Sequence, residues 1–444
     1  MAGAFDSELK RKTVSADQAV SMVKPNDWID YGFGAGQPDL FDQALAGQIG
    51  RFEKLKIRGC LALRPRPSVE ADPESRHVHY FSWYFSGVER RMHDRGLCHH
   101  IPMNFGEAPD YYRRFVDVDV AILKTTPMDA HGFFNFGIST TYEKAITERA
   151  KVVIVETNAS MPYAFGVENA VHISDVDYVI DGGEGSIPEL NNPPATEVDQ
   201  KVAQLIAAEI EDGACIQIGI GAMPNAVCEL LTRSSIKDLG VHTEMFVDSI
   251  VDLYEAGKVT GAHKQSNRYQ MTYTFAAGSS RMYKFLDRNP ACFAGSVDYT
   301  NLPHNIMRND RVVAICNAAQ IDLTGQACSE SAGMRQISGT GGQLQFIRGA
   351  YASRGGKAFL CLSSKYARGA ASASRIVARI DDCNIVTTPR TDVMYVVTEY
   401  GIVNLKGKSA PERARALIGI AHPDFREDLE RAAREYRLTA RSLF

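Results

Sequence analysis

The chain has 444 residues, a length that predicts two or three domains at roughly 150 residues each. Hydrophobic residues make up 45% and charged residues 23%, the mix of an ordinary globular protein, which excludes a disordered, collagen-like or coiled-coil chain. Lys and Arg number 49 against 53 Asp and Glu, so the formal net charge of −4 offers no basic excess for nucleic acid or an anionic membrane.

No stretch reaches the roughly 18 apolar residues that a membrane-spanning helix needs, and the first residues lack the apolar core of a signal peptide. The nine cysteines form no C-x-x-C pair, a pattern that favours neither a disulfide framework nor a zinc site. We therefore expect a soluble protein in a reducing cytoplasm, with no metal or redox cofactor.

One order of predicted elements occurs twice: a helix, a strand, a glycine turn, a proline and a second helix. The first copy comprises residues 15–20, 28–31, 32–34, Pro38 and residues 40–45. The second copy comprises residues 196–202, 215–218, 219–221, Pro224 and residues 226–231. Proline suits the first turn of a helix, where its missing N–H has no partner to lose.

This repeat predicts two similar open α/β domains with largely parallel sheets and the active site in the cleft between them. Because residues 187–195 are rich in proline, we place the domains at residues 1–190 and 196–444. Short β-branched runs are typical of buried parallel strands. They lie at residues 118–123, 152–155, 178–180, 312–315, 359–362 and 395–398. The tail from Ser409 carries capping-box spacing and predicts a terminal helix pair.

The turn from Gly219 to Asn225 follows a predicted strand and precedes a helix. At such a turn, free backbone N–H groups can bind a phosphate or an oxyanion. Pro224 replaces the third glycine of the dinucleotide-binding fingerprint, and a glycine-rich turn of this kind is often only a turn. The turn alone therefore leaves a ligand site and a simple connection both open.

Glu244 lies among apolar residues on the next predicted strand, residues 239–246. One interpretation is the acid that binds the ribose of NAD in a Rossmann domain, and another is an acid that caps a neighbouring helix. The His-x-Glu element of zinc deaminases is a third, but its Pro-Cys-x-x-Cys partner is missing from the whole chain. Spacing alone does not choose between the first two.

Longer motifs resolve this ambiguity by resemblance. They are Gly-Ile-Gly-x-x-Pro-Asn-Ala-Val from residue 219, Val-His-Thr-Glu-Met-Phe-Val-Asp from residue 241, and Gly-Thr-Gly-Gly-Gln-Leu-Gln-Phe-Ile-Arg-Gly-Ala from residue 339. With these motifs the chain resembles the acetyl-CoA hydrolase/transferase branch of the family I CoA-transferases. It is most similar to the butyryl-CoA:acetate and 4-hydroxybutyrate CoA-transferases, from residue 14 through the tail.

The resemblance implies that Glu244 is the catalytic nucleophile, which attacks a thioester and then carries CoA as a glutamyl-CoA thioester in a ping-pong reaction. Backbone N–H groups of Gly219, Gly221 and Gly342 are candidate donors to the oxyanion. Coenzyme A is then a co-substrate, and the resemblance implies a set of residues that bind it. These are Gly219, Gly221, Ala222, Met223, Pro224, Asn225, Ala319, Gly342 and Lys365.

Two positions differ from the butyrate enzymes and bear on the acceptor acid. Gln345 occupies a position where those enzymes commonly have aspartate, and Arg64 lies in a Leu-Arg-Pro-Arg-Pro run where they tend to be more apolar. If Arg64 faces the acyl pocket, it clamps a second carboxylate and selects succinate or itaconate over butyrate. Arginines in such a proline-rich run are, however, usually surface residues.

The sequence therefore predicts a CoA-transferase that moves CoA between a short-chain acyl-CoA and a free carboxylate. Three alternatives remain: an acyl-CoA hydrolase on the same fold, a CoA-binding protein without turnover and an NAD-dependent dehydrogenase. We expect small-molecule substrates, no nucleic-acid or membrane partner and, by resemblance, a homodimer or homotetramer. His131 and the aromatic residues between 81 and 85 are expected to serve the fold.

Overall fold

A computed structural model describes residues 4–190, 193–368, 371–380 and 384–439. The chain forms two compact units. Unit 1 comprises Met1–Asn191, Met245–Asp248 and Thr272–Thr300, and unit 2 comprises Asn192–Glu244, Ser249–Met271 and Asn301–Phe444. Two short segments of the second half of the sequence therefore belong to unit 1.

The helices in the described ranges are α1 (Asp6–Lys12), α2 (Ala16–Val20), α3 (Leu40–Gly47), α4 (Pro67–Glu70), α5 (Gly87–Asp94), α6 (Ala108–Arg114), α7 (Glu143–Arg149), α8 (Glu197–Ala207), α9 (Ala222–Arg233), α10 (Asp248–Glu255), α11 (Ser280–Leu286), α12 (Val297–Asn301), α13 (Pro303–Ile306), α14 (Gln343–Ala352), α15 (Ala410–Gly419) and α16 (Pro423–Glu435). Short 3-10 turns lie at Gly34–Gly36, Ile49–Arg51, Phe105–Glu107 and Ile173–Asp175.

The strands are β1 (Trp28–Phe33), β2 (Leu55–Cys60), β3 (Val78–Ser82), β4 (Cys98–His100), β5 (Val120–Thr125), β6 (Phe133–Asn135), β7 (Val152–Thr157), β8 (Ala170–His172), β9 (Tyr178–Asp181), β10 (Cys215–Ile218), β11 (Gly240–Val241), β12 (Met245–Phe246), β13 (Met271–Tyr273), β14 (Phe275–Ala276), β15 (Cys292–Ala294), β16 (Val312–Asn317), β17 (Gln320–Asp322), β18 (Ala327–Cys328), β19 (Ser331–Ala332), β20 (Arg335–Gln336), β21 (Lys357–Cys361), β22 (Lys365–Arg368), β23 (Ala371–Ser374), β24 (Ile376–Val377), β25 (Tyr395–Thr398) and β26 (Gly401–Asn404).

Unit 1 is built on an all-parallel sheet of seven strands in the order β4-β3-β2-β1-β5-β7-β9. Its central strands are almost continuously buried, because helices cover the faces of a parallel sheet. Ile29 of β1 pairs with Ile57 of β2 and with Val120 of β5, and all three side chains are buried in one core. The strand order reverses between β1 and β5, a switch point of the kind at which ligands of open α/β sheets bind.

Unit 2 repeats this plan with six strands in the order β11-β10-β16-β21-β25-β26. All neighbours are parallel except β25 and β26, which form an antiparallel edge. Cys215 of β10 pairs with Val312 of β16, Ala314 of β16 pairs with Ala358 of β21, and these side chains belong to the second core. The order reverses between β10 and β16, so the carboxyl end of β10 lies at the switch point of unit 2.

These two sheets confirm the predicted fold class, two open and largely parallel α/β units. Every β-branched run predicted as a strand coincides with a strand of the two sheets, with ends that differ by a few residues. Pro224 lies in the first turn of α9 as predicted, whereas Pro38 lies two residues before α3. The predicted single strand 239–246 is two short strands, β11 and β12, because Met245 and Phe246 pair with β14 in a separate two-stranded sheet.

The tail forms the predicted helix pair, α15 and α16. The Glu412 carboxylate accepts a hydrogen bond of 2.7 Å from the backbone N–H of Ser409, which caps α15 as the capping-box spacing indicates. Leu417 and Leu429 belong to the core of unit 2. Across the described ranges, no helix is both long and apolar enough to cross a membrane.

Candidate active site

The carboxyl end of β10 leads into the glycine turn at the switch point of unit 2. Gly221 has φ 124°, which favours glycine, whereas an added Cβ would approach other heavy atoms no closer than 3.8 Å. Glycine is therefore needed here for the backbone conformation and not for space. The N–H groups of Ala222 and Met223, in the first turn of α9, have no intrahelical partner, and no side chain in the described ranges caps this helix. Such groups suit an anionic or carbonyl ligand.

Glu244 occupies the break between β11 and β12, at the same edge of unit 2. The preceding residue, Thr243, is buried, and its hydroxyl lies 3.4 Å from the backbone nitrogen of Ile218 and 3.3 Å from its oxygen. This contact ties the segment that carries Glu244 to the end of β10. Glu244 is thus held beside the glycine turn by a side chain adjacent to it in sequence.

Two donors hold the Glu244 carboxylate. Nδ2 of Asn301 donates to Oε2 over 2.5 Å, and the backbone N–H of Gly342 donates to the same carboxylate. The side chain is half-buried, and withdrawal from water raises its pKa to about 7, while the two hydrogen bonds act in the opposite direction. A carboxylate has about four acceptor sites. Acceptor capacity therefore remains for a reacting partner.

Gly342 approaches Glu244 more closely than any other residue type allows. An added Cβ would lie 2.0 Å from Oε2 of Glu244 and 2.3 Å from Nδ2 of Asn301. Real Cβ atoms do not make contacts that short. The absence of a side chain at residue 342 is therefore what lets a backbone N–H at the start of α14 reach the carboxylate.

The thiol of Cys316, near the end of β16, interacts electrostatically with Glu244. Burial is the main cause that raises the pKa of Cys316 to about 12, and the charge of Glu244 adds to it. The thiol therefore stays protonated at neutral pH and is a poor nucleophile. Its Sγ lies 3.8 Å from Oε1 of Gln217 on the neighbouring strand β10.

The residues expected to bind CoA all lie in unit 2. Oδ1 of Asn225 is buried without a hydrogen-bond partner among the described residues. The carbonyl of Ala319 accepts a hydrogen bond of 2.9 Å from Nη1 of Arg375. Lys365 is exposed, and its Nζ lies 3.9 Å from a carboxylate oxygen of Asp424.

The two residues considered for acceptor choice have different surroundings. Gln345 is buried on α14. Arg64 lies in unit 1, where its guanidinium donates to Asp39 over 2.7 Å and to the backbone and hydroxyl oxygens of Ser186 over 2.6 and 2.9 Å. Lys124 donates to the same Asp39 oxygen over 2.5 Å. Arg64 is therefore part of an ion-pair cluster at the carboxyl ends of the unit 1 strands.

Three polar residues near these groups were not predicted from the sequence. Asn301 bonds Glu244 from the end of α12, 57 residues further along the chain, and no local motif surrounds it. Nε2 of Gln343, next to Gly342, is buried without a partner in the part of the chain that the structure describes. Arg375 contacts Ala319. In those same ranges, no three His, Cys, Asp or Glu side chains group as a metal site.

Comparison with known proteins identifies the family. Residues 4–190 match the model of the acetyl-CoA hydrolase/transferase N-terminal domain, and residues 278–433 match that of the C-terminal domain. A butyryl-CoA:acetate CoA-transferase of Anaerostipes caccae is 46% identical over 99% of both chains. A 4-hydroxybutyrate coenzyme A transferase of Clostridium kluyveri is 38% identical over 95% of this chain and 96% of the relative.

Solved structures agree with the sequence matches. The crystal structure of RipA from Yersinia pestis superposes with a TM-score of 0.89 at 36% identity, covering 97% of this chain and 99% of RipA. A 4-hydroxybutyrate CoA-transferase from Porphyromonas gingivalis gives a TM-score of 0.80 at 33% identity, covering 97% of this chain and all of the other. The chain therefore belongs to the acetyl-CoA hydrolase/transferase family and is a CoA-transferase, an enzyme that moves coenzyme A between an acyl-CoA and a carboxylate.

Proposed function

We propose that Glu244 is the nucleophile of this transfer and that the enzyme works through a glutamyl-CoA thioester. The observation that supports this most strongly is the pair of donors, Asn301 and the Gly342 N–H, that fix one carboxylate at the switch point of unit 2. A carboxylate with a purely structural role does not require a glycine at a neighbouring position where any side chain would collide with it. A carboxylate that reacts does require a fixed position.

The proposed cycle exchanges two acyl groups on one carboxylate. An oxygen of Glu244 attacks the thioester carbonyl of acyl-CoA, the C–S bond breaks, and an acyl-glutamyl anhydride and CoA thiolate form. The thiolate then attacks the glutamyl carbonyl, which releases the first acid and leaves CoA on Glu244 as a thioester. A second carboxylate reverses these steps and leaves as the new acyl-CoA.

The surroundings of Glu244 suit each step. A pKa near 7 keeps a substantial fraction ionised at neutral pH while making the carboxylate more basic, and hence more reactive, than one in water. Each tetrahedral intermediate carries a negative oxygen, for which backbone N–H groups of the glycine turn or of Gly342 are the proposed donors. Because Cys316 stays protonated, it does not compete for the acyl group.

The CoA site is proposed at the same edge of unit 2. The N–H groups at the start of α9, together with the amide atoms of Asn225 and Gln343 that lack a partner within the described ranges, supply donors and acceptors that match the two amides of pantetheine. Gly219, Gly221, Pro224 and Ala319 complete the proposed contacts. Lys365 is exposed, which suits the solvent-facing nucleotide end of CoA.

We propose short-chain monocarboxylates, of the butyryl-CoA and acetate type, as the substrates. The relative from Anaerostipes caccae carries that activity in its name. The contacts of Arg64 disfavour a dicarboxylate substrate, because the second carboxylate of such a substrate would have to compete with Asp39 and Ser186 for the N–H donors of Arg64. The homodimer or homotetramer expected from the resemblance is part of this proposal, and light scattering measures it directly.

Steady-state kinetics with butyryl-CoA and acetate test this function. A ping-pong cycle predicts parallel lines in double-reciprocal plots at several fixed acetate concentrations. Release of free thiol should be slow without acetate, and succinate and itaconate should be poorer acceptors than acetate. Intersecting lines contradict the covalent cycle, and thiol release that is independent of acetate identifies a hydrolase instead.

A further inference from the structure

Arg375 lies at the carboxyl ends of β16 and β21, immediately after β23. Its Nη1 donates to the carbonyl of Ala319 over 2.9 Å, and its Nε donates to the hydroxyl of Ser363 over 3.1 Å. Its guanidinium carbon lies 4.9 Å from the ring centroid of Tyr366, within the range of a cation–π contact. Arg375 therefore contacts Ala319 and the residue next to Lys365, and both Ala319 and Lys365 belong to the proposed CoA site.

The guanidinium of Arg375 is half-buried and faces no carboxylate among the described residues. Burial lowers its pKa, yet an arginine keeps its charge at neutral pH. A guanidinium has five N–H donors, and the two named bonds use two of them. A charge withdrawn from water is unfavourable unless an opposite charge approaches it.

Two other arginines with side chains withdrawn from water have partners that can be compared with those of Arg375. Arg58 is buried and bonds Asp30 over 2.7 Å, the usual solution. Arg413 resembles Arg375 more closely, because it too donates to main-chain carbonyls, those of Lys408, Thr324 and Arg390, without a carboxylate in the described ranges. Arg413 shares the chemistry of Arg375, but its hydrogen-bond partners among the described residues are Lys408, Thr324 and Arg390, none of which belongs to the proposed CoA site, so Arg413 is a matched control.

From this placement we infer that Arg375 binds a phosphate group of the nucleotide part of CoA. The inference rests on the proposed CoA site. CoA carries a 3′-phosphate and a diphosphate, and the planar fork of arginine matches a phosphate bidentately, which the point charge of Lys365 does not. The ring of Tyr366 and the carbonyl of Ala319 fix the plane of the fork, so little side-chain freedom is lost on binding.

The test measures CoA affinity by titration calorimetry for wild type, Arg375→Gln, Arg375→Lys and Arg413→Gln. Arg375→Gln should raise the Kd for CoA and the KM for acyl-CoA about tenfold or more, a loss of about 1.4 kcal/mol per factor of ten, with kcat nearly unchanged. Arg375→Lys should recover part of the affinity, because it keeps the charge without the fork. Arg413→Gln should bind CoA like wild type.

Dephospho-CoA and pantetheine distinguish the phosphate groups. If the 3′-phosphate is the partner, wild type and Arg375→Gln bind dephospho-CoA equally; if the diphosphate is the partner, the difference persists with dephospho-CoA and vanishes with pantetheine. A Kd for CoA within twofold of wild type in Arg375→Gln overturns the inference, as does an equal loss in Arg413→Gln. These binding constants do not depend on a covalent intermediate, so failure of the glutamyl-CoA mechanism would appear separately.

Discussion

Replacing Gly342 with alanine adds one methyl group directly against the Glu244 carboxylate. The new Cβ would lie 2.0 Å from Oε2 of Glu244, and the carboxyl carbon would be 3.2 Å away. Gly342 has φ −94° and ψ 3°, a conformation open to alanine, so the backbone itself is not strained by the change. The substitution therefore acts on the position of the carboxylate.

The size of the effect follows from that contact. Non-bonded heavy atoms of this kind rest at roughly 3.5 Å, so the carboxylate must move by about 1 Å or more and leave its bonds to Asn301 and the Gly342 N–H. A charged hydrogen bond contributes about 1.5–3 kcal/mol, and a displacement of about 1 Å lowers an enzymatic rate roughly 100-fold. We expect kcat/KM of Gly342→Ala to fall about 100- to 1,000-fold.

The assay is acyl transfer from butyryl-CoA to acetate, with thermal unfolding followed by circular dichroism. The colliding atoms are the ends of side chains that can move, so Gly342→Ala should fold with a melting temperature near that of wild type. Gly419→Ala, at the last residue of α15, is the matched control, since a Cβ there meets nothing within 4 Å. More than a third of wild-type activity in Gly342→Ala would show that the position of the Glu244 carboxylate does not depend on the missing side chain at residue 342.

Three further predictions concern Glu244 and Asn301. Since only ionised Glu244 attacks, kcat/KM should rise with pH and level off above an apparent pKa of about 7, and a flat profile contradicts this. The raised pKa of Glu244 destabilises the folded state only at pH values at which the unfolded carboxylate, with a pKa of 4.5, is ionised. The resulting loss of folding stability grows with pH and reaches about 3 kcal/mol above pH 7. Glu244→Gln should therefore melt above wild type near pH 8.5 and equally near pH 4, as scanning calorimetry can measure. Asn301→Ala removes a hydrogen bond that lowers the pKa of Glu244. The activity of this variant at pH 7 should therefore fall about tenfold or more, and its pH profile should move to higher pH. An unchanged pH profile would contradict this prediction.

The two central sheets were predictable because a buried parallel strand can be identified from a short run of neighbouring residues. Runs such as residues 152–155 and 395–398 are apolar and β-branched, and both are strands of the two central sheets. The repeated glycine turns likewise indicated two similar units. The break at Glu244 was not predictable, since residues 239–246 read as one apolar strand and only pairing of β12 with β14, 30 residues away in sequence, divides it.

The site was predictable only where a motif surrounds the residue. Glu244 and Gly342 lie in motifs that carry the family resemblance, and their closeness is a result of folding that no spacing reveals. Asn301 lies in an ordinary helix end and becomes a partner of Glu244 through tertiary structure alone. Arg375 is one arginine among many in the sequence, and only its tertiary neighbours show that no carboxylate in the described part of the chain faces it.

Mass spectrometry of the enzyme after incubation with acyl-CoA and no acceptor tests the central mechanism most directly. The glutamyl-CoA mechanism predicts a peptide in which CoA is attached to Glu244 as a thioester, its discharge on addition of acetate, and no such adduct in Glu244→Gln. CoA attached at another residue, or full transferase activity in Glu244→Gln, would contradict it.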